Sequence, residues 1–433
     1  MENLVLELLP ELLRTTLPGI DPGSQIVIPD YHGRSISNLP ASVCQWLGIE
    51  LSGEPLAAQY ARAAEGTFRH VILVLVDGLS LKYFQRFLNG QNPFEDQFGA
   101  VQVWEEILQD ASLAPLTSVV PSTTTAALTS LWTGKTPAEH GVVGYELWLK
   151  EYGMLTNMIL HSPTAFHGES GSLMRAGFKP EEFLPCQTFG HHLSANGVVA
   201  QAFLPSSIAH SSLTRTHTAG AQVIPYQTLG DLWVSLQQLL GKSQRQVTYS
   251  YIYWGDLDLL SHLYGPDDER LWLEFASFTR FLAQFIRRLR DDSHGKTLVL
   301  FTADHGMRNS PRIEKYELKK HPEFMDCLVM NPSGESRLAY LFLKPGKEER
   351  MKKYIDQTWP GEFRLFPSSL LQSTGLLGMG EPHPFLPDRL GDWTAVAQGD
   401  AYWWWANREN HLKARHGGLS ADEMIVPLVI FKT

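Results

Sequence analysis

Five places in this 433-residue sequence concentrate side chains of the kind that ligate metal ions, each at a turn. They are Asp77, the run Thr123-Thr124-Thr125, Asp258 with His262, Asp304 with His305, and His416. Each alone is ordinary, since an aspartate ending a strand commonly caps a helix and a lone histidine is commonly a satisfied core or surface group. Jointly they say more, because carboxylates and imidazoles at several strand ends converge on one edge of a sheet. Asp258 and His262 are four residues apart, so a helical turn puts both on one face, close enough to share a cation. His416 sits in RHGGLS, where paired glycines permit tight turns and close backbone approach to a ligand. Oxygen and nitrogen donors without sulfur suit zinc, with manganese as the alternative. A threonine hydroxyl is a poor nucleophile at neutral pH, and a metal ion lowers its pKa into a usable range.

The elements that must position these groups follow from hydrophobic pattern. VILVLVDG (71–78) and TLVLFTADHG (297–306) are continuous apolar runs ending in polar turns, as doubly buried parallel strands should be. VTYSYIYWGD (247–256) is strand-like. SVVPSTTTAALTSLWTG (118–134) reads as an extended piece, then a helix that begins near the threonines and stops at Gly134. From Glu269 to Arg290, Leu271, Phe275, Phe278, Leu282, Phe285 and Leu289 step by four and three, which predicts a long amphipathic helix. Alternating strands and helices imply an α/β fold with a mostly parallel sheet covered by helices on both faces. Ligands of such sheets sit beyond the carboxyl ends of the strands, where Asp77 and Asp304-His305 lie. Residues 1–65 read as a helical N-terminal extension and 66–433 as the catalytic domain, with 338–400 a smaller inserted α+β lobe. The Trp403-Trp404-Trp405 run is expected to be packing.

Composition narrows the function. With 43% hydrophobic residues the chain can bury a large core, and a net charge of -10 argues against a nucleic-acid binder. An acidic protein that handles phosphates needs local positive charge, and bound metal ions are the obvious source. Cys44, Cys186 and Cys327 form no CxxC pair, which suggests a reducing compartment. The first residues lack the basic region of a signal peptide, and no 18-residue uncharged apolar run occurs. A cytoplasmic protein without a membrane span is the expectation.

The stretches LVDG, PSTTTAALTSLWTGKTPAEHG, DLDLLSHLYGP, TADHGM and HGGLSADEMIVPL resemble, in order, those of the type I phosphodiesterase/nucleotide pyrophosphatase branch of the alkaline phosphatase superfamily. The resemblance runs from about residue 66 to the end and implies an alkaline-phosphatase-like core. It implies that Asp258, His262 and His416 hold one metal ion, and that Asp77, Asp304, His305 and the nucleophile hydroxyl hold the other. The family's nucleophile stands nine residues before the TG of LWTG, which selects Thr124. The implied chemistry is in-line attack on a phosphate ester or nucleotide, a phosphothreonine intermediate and its hydrolysis, with two ions roughly 4 Å apart. One departure bears on substrate. The family's turn after HG ends in an asparagine that holds a phosphate oxygen, and here Tyr145 takes that place, implying a neutral donor and a preference for diesters. His140, in the family-like EHG turn, is expected to be structural; His161, His321, His383 and His411 have no matched role. The competing readings are a phosphomonoesterase or phosphomutase of the same superfamily, and a non-catalytic binding protein that kept the fold.

Overall fold

The apolar runs become adjacent strands. His70–Val76 and Thr297–Thr302 are buried along their whole length and pair in parallel, with Leu75 opposite Thr302. Both chains therefore leave the sheet at the same edge, carrying Asp77 and Asp304 with them. Thr248–Trp254 lies on the other side of His70–Val76, also parallel, with Trp254 opposite Val76. The helix Asp256–Tyr264 that follows starts at that edge too. The computed structural model describes residues 2–20, 26–50, 53–61, 64–91, 99–165, 169–243, 245–293 and 296–433.

These three strands are the centre of an eight-stranded sheet. Its order is Glu2–Asn3, Ala111–Thr117, Ile425–Lys432, Thr297–Thr302, His70–Val76, Thr248–Trp254, Val199–Pro205 and Gln222–Tyr226. Only Ile425–Lys432 runs against the others, pairing antiparallel with both neighbours. The helix Glu269–Ser293 packs an aromatic stripe on the sheet, with Phe275, Phe278 and Leu282 fully buried. Trp104 and Phe84 close around Phe275, and Phe301 packs on both of them. Truncating so enclosed a phenylalanine to alanine costs about 3–5 kcal/mol, because the cavity left behind cannot collapse.

A second, wholly antiparallel sheet has seven strands, in the order Phe363–Pro367, Trp393–Ala397, Leu338–Leu341, Ser333–Glu335, Glu146–Leu149, Met154–Asn157 and Ser162–Pro163. It thus reaches beyond 338–400 and recruits residues 146–163. The join is at Gly334, opposite Glu146 in the ladder; a Cβ on Gly144 would stand 2.7 Å from the Gly334 Cα, so the two segments meet backbone to backbone. The segment before residue 66 is built into the main body. Glu2–Asn3 adds the edge strand, and Val5, Leu8 and Leu12 of the helix Val5–Leu12 join the core that fills the large sheet.

Trp403 is buried in the smaller lobe's core, stacked on Phe363 and against Trp359. The indole of Trp405 donates to Glu146 Oε2, 2.7 Å away. Most of the unassigned histidines have partners inside the fold. His140 donates to Ser130 and accepts the Val142 N–H, His161 bonds Ser212, His321 bonds Tyr354 and the Lys315 carbonyl, and His383 accepts the Phe385 N–H. His411 is exposed beside Glu409.

Candidate active site

The helix Thr124–Thr133 starts where extended chain ends, with Thr123 as its N-cap in β geometry and Gly134 closing it at φ 66°. Its first N–H groups have no partner within the helix, which makes the position a ready phosphate site. Thr124 is therefore the first helical residue, half-buried, with its hydroxyl 3.2 Å from His305 Nε2 and 3.5 Å from Asp77 Oδ2. The flanking threonines face elsewhere. Thr125 donates to the Gly144 carbonyl at 2.9 Å, and the Thr123 hydroxyl bonds Glu335.

Around Thr124 the strand ends assemble six further side chains. Asp77 and Asp304 are buried at 2% and 0% exposure, and His305 Nε2 lies 3.3 Å from Asp77 Oδ1 and 3.5 Å from Asp304 Oδ2. Asp258, on the first turn of the helix Asp256–Tyr264, approaches Asp77 because Gly78 adopts φ 76°; a Cβ there would stand 3.1 Å from Asp258. His262, one turn on, is 3.5 Å from Asp258 Oδ1, and His416 Nε2 is 3.7 Å from the same oxygen.

Hydrogen bonding fixes which atom each group offers. His262 Nδ1 is 2.9 Å from the Ala414 carbonyl, His305 Nδ1 is 2.9 Å from that of Gly306, and His416 Nδ1 is 3.2 Å from that of Ser122. A carbonyl only accepts, so each Nδ1 carries the proton and each Nε2 lone pair is left to face the site, the arrangement that orients metal-binding imidazoles. Asp304 Oδ1 accepts the Gly78 and His305 N–H groups at 3.2 and 2.9 Å. Its Oδ2, with Asp77 Oδ1 and Asp258 Oδ1, is buried and has no hydrogen-bond partner. Two groups of ligand atoms lie within 4.8 Å of one another, namely Asp77, Asp304 and His305, and Asp258, His305 and His416. His305 stands between the two sets, and His262 stands beside the second.

Three carboxylates share this space, and no lysine or arginine pairs with them among the described residues. Burial, reinforced by Asp304 and Asp258, pushes the Asp77 carboxyl well above the usual carboxylate range. Burial, with Asp258 nearby, pushes Asp304 up to about 7. Burial and then His305 and His262 hold His416 well below its ordinary value, so its ring is neutral. Buried carboxylates without hydrogen-bond or cation partners cost several kcal/mol, and a bound cation removes that cost.

Residues 71–359 match the type I phosphodiesterase / nucleotide pyrophosphatase family. The chain belongs to that family. Membership makes it a hydrolase of the phosphodiesterase/pyrophosphatase class, a class that is metal-dependent. Among solved structures it is similar to murine ectonucleotide pyrophosphatase/phosphodiesterase 5, an inactive variant in complex with AMP. The identity there is 16%, the TM-score 0.59, and the match covers 83% of this chain and 87% of that one. It is similar also to phosphonoacetate hydrolase from Sinorhizobium meliloti 1021 in complex with phosphonoformate, at 18% identity and TM-score 0.56, covering 83% and 89%. At such identities these likenesses establish the fold, which is alkaline-phosphatase-like. No curated protein matches the chain. No helix among the described residues is long and apolar enough to cross a membrane.

Tyr145 is anchored to the smaller sheet. Its N–H donates to Glu335 Oε1 at 2.8 Å, its hydroxyl bonds Asn157, and burial raises its pKa. It is not among the residues lining the cavity beside Thr124. Two residues of the site's surroundings escaped the sequence reading. Tyr253 donates its hydroxyl to Asp77 Oδ2; its place at the end of a strand, next to the strand that carries Asp77, was the available signal. Glu335 sits in the smaller sheet against Gly417, next to His416, and nothing in the sequence around it marks it.

Proposed function

We propose that the protein hydrolyses phosphate esters through a phosphothreonine at Thr124, with two divalent cations, zinc or manganese, and prefers diesters. The observation that carries this reading is the convergence of three partnerless carboxylate oxygens and three Nε2 atoms next to a helix-initial threonine. Such a donor set, all oxygen and nitrogen with tautomers fixed by backbone carbonyls, fits divalent cations. Asp77, Asp304 and His305 would hold one and Asp258, His262 and His416 the other, with His305 within reach of both. The cations would supply the positive charge that lowers the pKa of the threonine hydroxyl and offsets charge building on the phosphoryl oxygens.

The chain's own residues do the rest. The N–H groups that open the helix Thr124–Thr133 orient the phosphate. Asp77 and His305 hold the Thr124 hydroxyl in place, and Tyr253 fixes the Asp77 carboxylate from behind. Oγ1 of Thr124 attacks phosphorus in line; the new O–P bond forms as the bond to the leaving alcohol breaks, and water later displaces Thr124 to release phosphate or its monoester.

The diester preference rests on charge. Monoester dianions call for an extra cation, and among the described residues no lysine or arginine lines the cavity at Thr124. Lys135 is occupied by Glu139 at 3.1 Å. The test is metal-reconstituted protein assayed on bis(p-nitrophenyl) phosphate and p-nitrophenyl phosphate, with elemental analysis alongside. Two ions per chain and a higher kcat/KM for the diester are expected. One ion or none in active protein would end the two-cation reading, and a tenfold advantage for the monoester would end the diester preference.

A further inference from the structure

Thr124 opens onto a cavity of about 250 Å³. Its wall is apolar: Leu128 and Trp132 follow Thr124 at successive turns of the same helix, and Leu204, Ile208 and Leu213 come from the strand Val199–Pro205 and the segment after it. Leu128, Trp132, Leu204 and Leu213 are each buried.

Most of the inward polar groups in this wall are already engaged. The Thr214 hydroxyl donates to the Ile208 carbonyl at 2.7 Å, and that of Thr218 donates to the Thr214 carbonyl at 2.8 Å. His217 Nε2 is bonded to Thr129 at 2.9 Å, and burial lowers its pKa to about 3, so it carries no charge. The Tyr253 hydroxyl is held by Asp77, and that of Tyr251 is buried without a hydrogen-bond partner, a single neutral donor in an apolar wall. Among the described residues no aspartate, glutamate, lysine or arginine lines the cavity. Among the described residues of the lining, Ser170 and Ser207 are the exposed hydroxyl residues.

A group entering this space gains from burial of carbon and loses any hydrogen bonds its own polar atoms made to water. A second phosphate or a carboxylate would be desolvated with no cation to meet it. We propose that this cavity receives the uncharged, apolar organic group of the phosphate ester held at Thr124, so that the enzyme selects alkyl or aryl esters over those carrying a second anionic group. The assignment rests on the reading of Thr124 as the nucleophile, because that is what places the phosphate at the cavity's inner end.

The experiment compares three p-nitrophenyl phosphodiesters that share one chromophore and differ in the other group: methyl, hexyl and 5-carboxypentyl. Each methylene that enters an apolar site is worth about fourfold. The metal-loaded enzyme should therefore show a hexyl-to-methyl ratio in kcat/KM of roughly tenfold or more, with the carboxypentyl ester no better than methyl. Ile208→Glu, which puts a charge on the wall, should collapse the hexyl-to-methyl ratio. Equilibrium dialysis of 1-naphthol and 1-naphthoate reads the cavity without any turnover. Naphthol should bind the wild type and bind Ile208→Glu at least tenfold more weakly, and naphthoate should bind neither. A hexyl-to-methyl ratio near one, or naphthol binding that Ile208→Glu leaves unchanged, overturns the assignment. Naphthol binding lost in Ile208→Glu, in a protein that cleaves no ester, upholds the cavity and overturns the hydrolytic reading instead.

Discussion

Glu335→Gln should reverse a pH-dependent weakness of the fold. Glu335 is 7% exposed and lies against the loop that carries His416. Burial pushes its carboxyl from an ordinary 4.5 up to about 8; the Thr123 hydroxyl and the Tyr145 N–H pull the other way and do not win. In the unfolded chain the group ionises near 4.5, whereas in the folded protein it keeps its proton until about 8. Between those values the folded state binds the extra proton, so the stability this group confers is present below pH 4.5 and is lost as pH rises toward 8. From pH 5.5 to 8.5 the full slope of about 1.4 kcal/mol per pH unit fades as the folded carboxyl ionises near 8, so the loss sums to about 3 kcal/mol. Glutamine keeps the shape and an acceptor for the Tyr145 N–H and cannot ionise. Urea unfolding of both proteins at pH 5.5 and pH 8.5, followed by tryptophan fluorescence, isolates the term, because every other titrating group is common to the pair. The wild type should lose about 3 kcal/mol relative to the variant on going to the higher pH. A difference that stays constant, or one in which the wild type gains, would refute the argument that burial governs this carboxyl.

Thr124→Ala should lower kcat by on the order of 10³-fold or more with an unchanged melting curve. Thr125→Ala should keep the chemistry and lose about 1–3 kcal/mol, since it strands the buried Gly144 carbonyl; normal turnover in Thr124→Ala would show the nucleophile to be a neighbour. His416→Ala should reduce the metal content of the protein from two ions to one, and elemental analysis that finds both ions kept, or both lost, would contradict the proposed division of ligands. Arg337 and Glu423 are both fully buried and joined by bonds of 2.6 and 3.0 Å. Arg337→Met should cost about 3–5 kcal/mol by leaving Glu423 buried and charged without its cation, and Arg337→Met with Glu423→Gln should recover part of it in the same denaturation assay.

What was legible in the sequence was what local pattern determines. Asp77 and Asp304 are placed because each ends an unbroken apolar run bounded by a polar turn, the pattern of a strand buried on both faces. Asp258 and His262 were placed by helical spacing, and the stop at Gly134 was read from its residue type. What escaped depends on contacts between distant segments. The pairing of Glu146 with Gly334 rests on a backbone approach between two glycines that no periodicity announces. The position of His305 between two ligand sets follows from how His416 stacks on it, with ring centroids 3.9 Å apart. Tyr253 and Glu335 act through what they touch, Asp77 in one case and Thr123 in the other, and their own surroundings in sequence look like any strand.

The antiparallel strand Ile425–Lys432 has a consequence for how the protein is made. It fills a slot between Ala111–Thr117 and Thr297–Thr302, so those two strands are joined only through it. A growing chain on the ribosome must hold that slot open, with two strand edges unpaired, until residues 425–432 have been synthesised. His416 lies just ahead of this strand, so the ligand set closes only when the slot does. The nascent protein is thus most vulnerable to aggregation while it is still inert, and a stop codon shortly before residue 425 should give an insoluble product rather than a weakened enzyme.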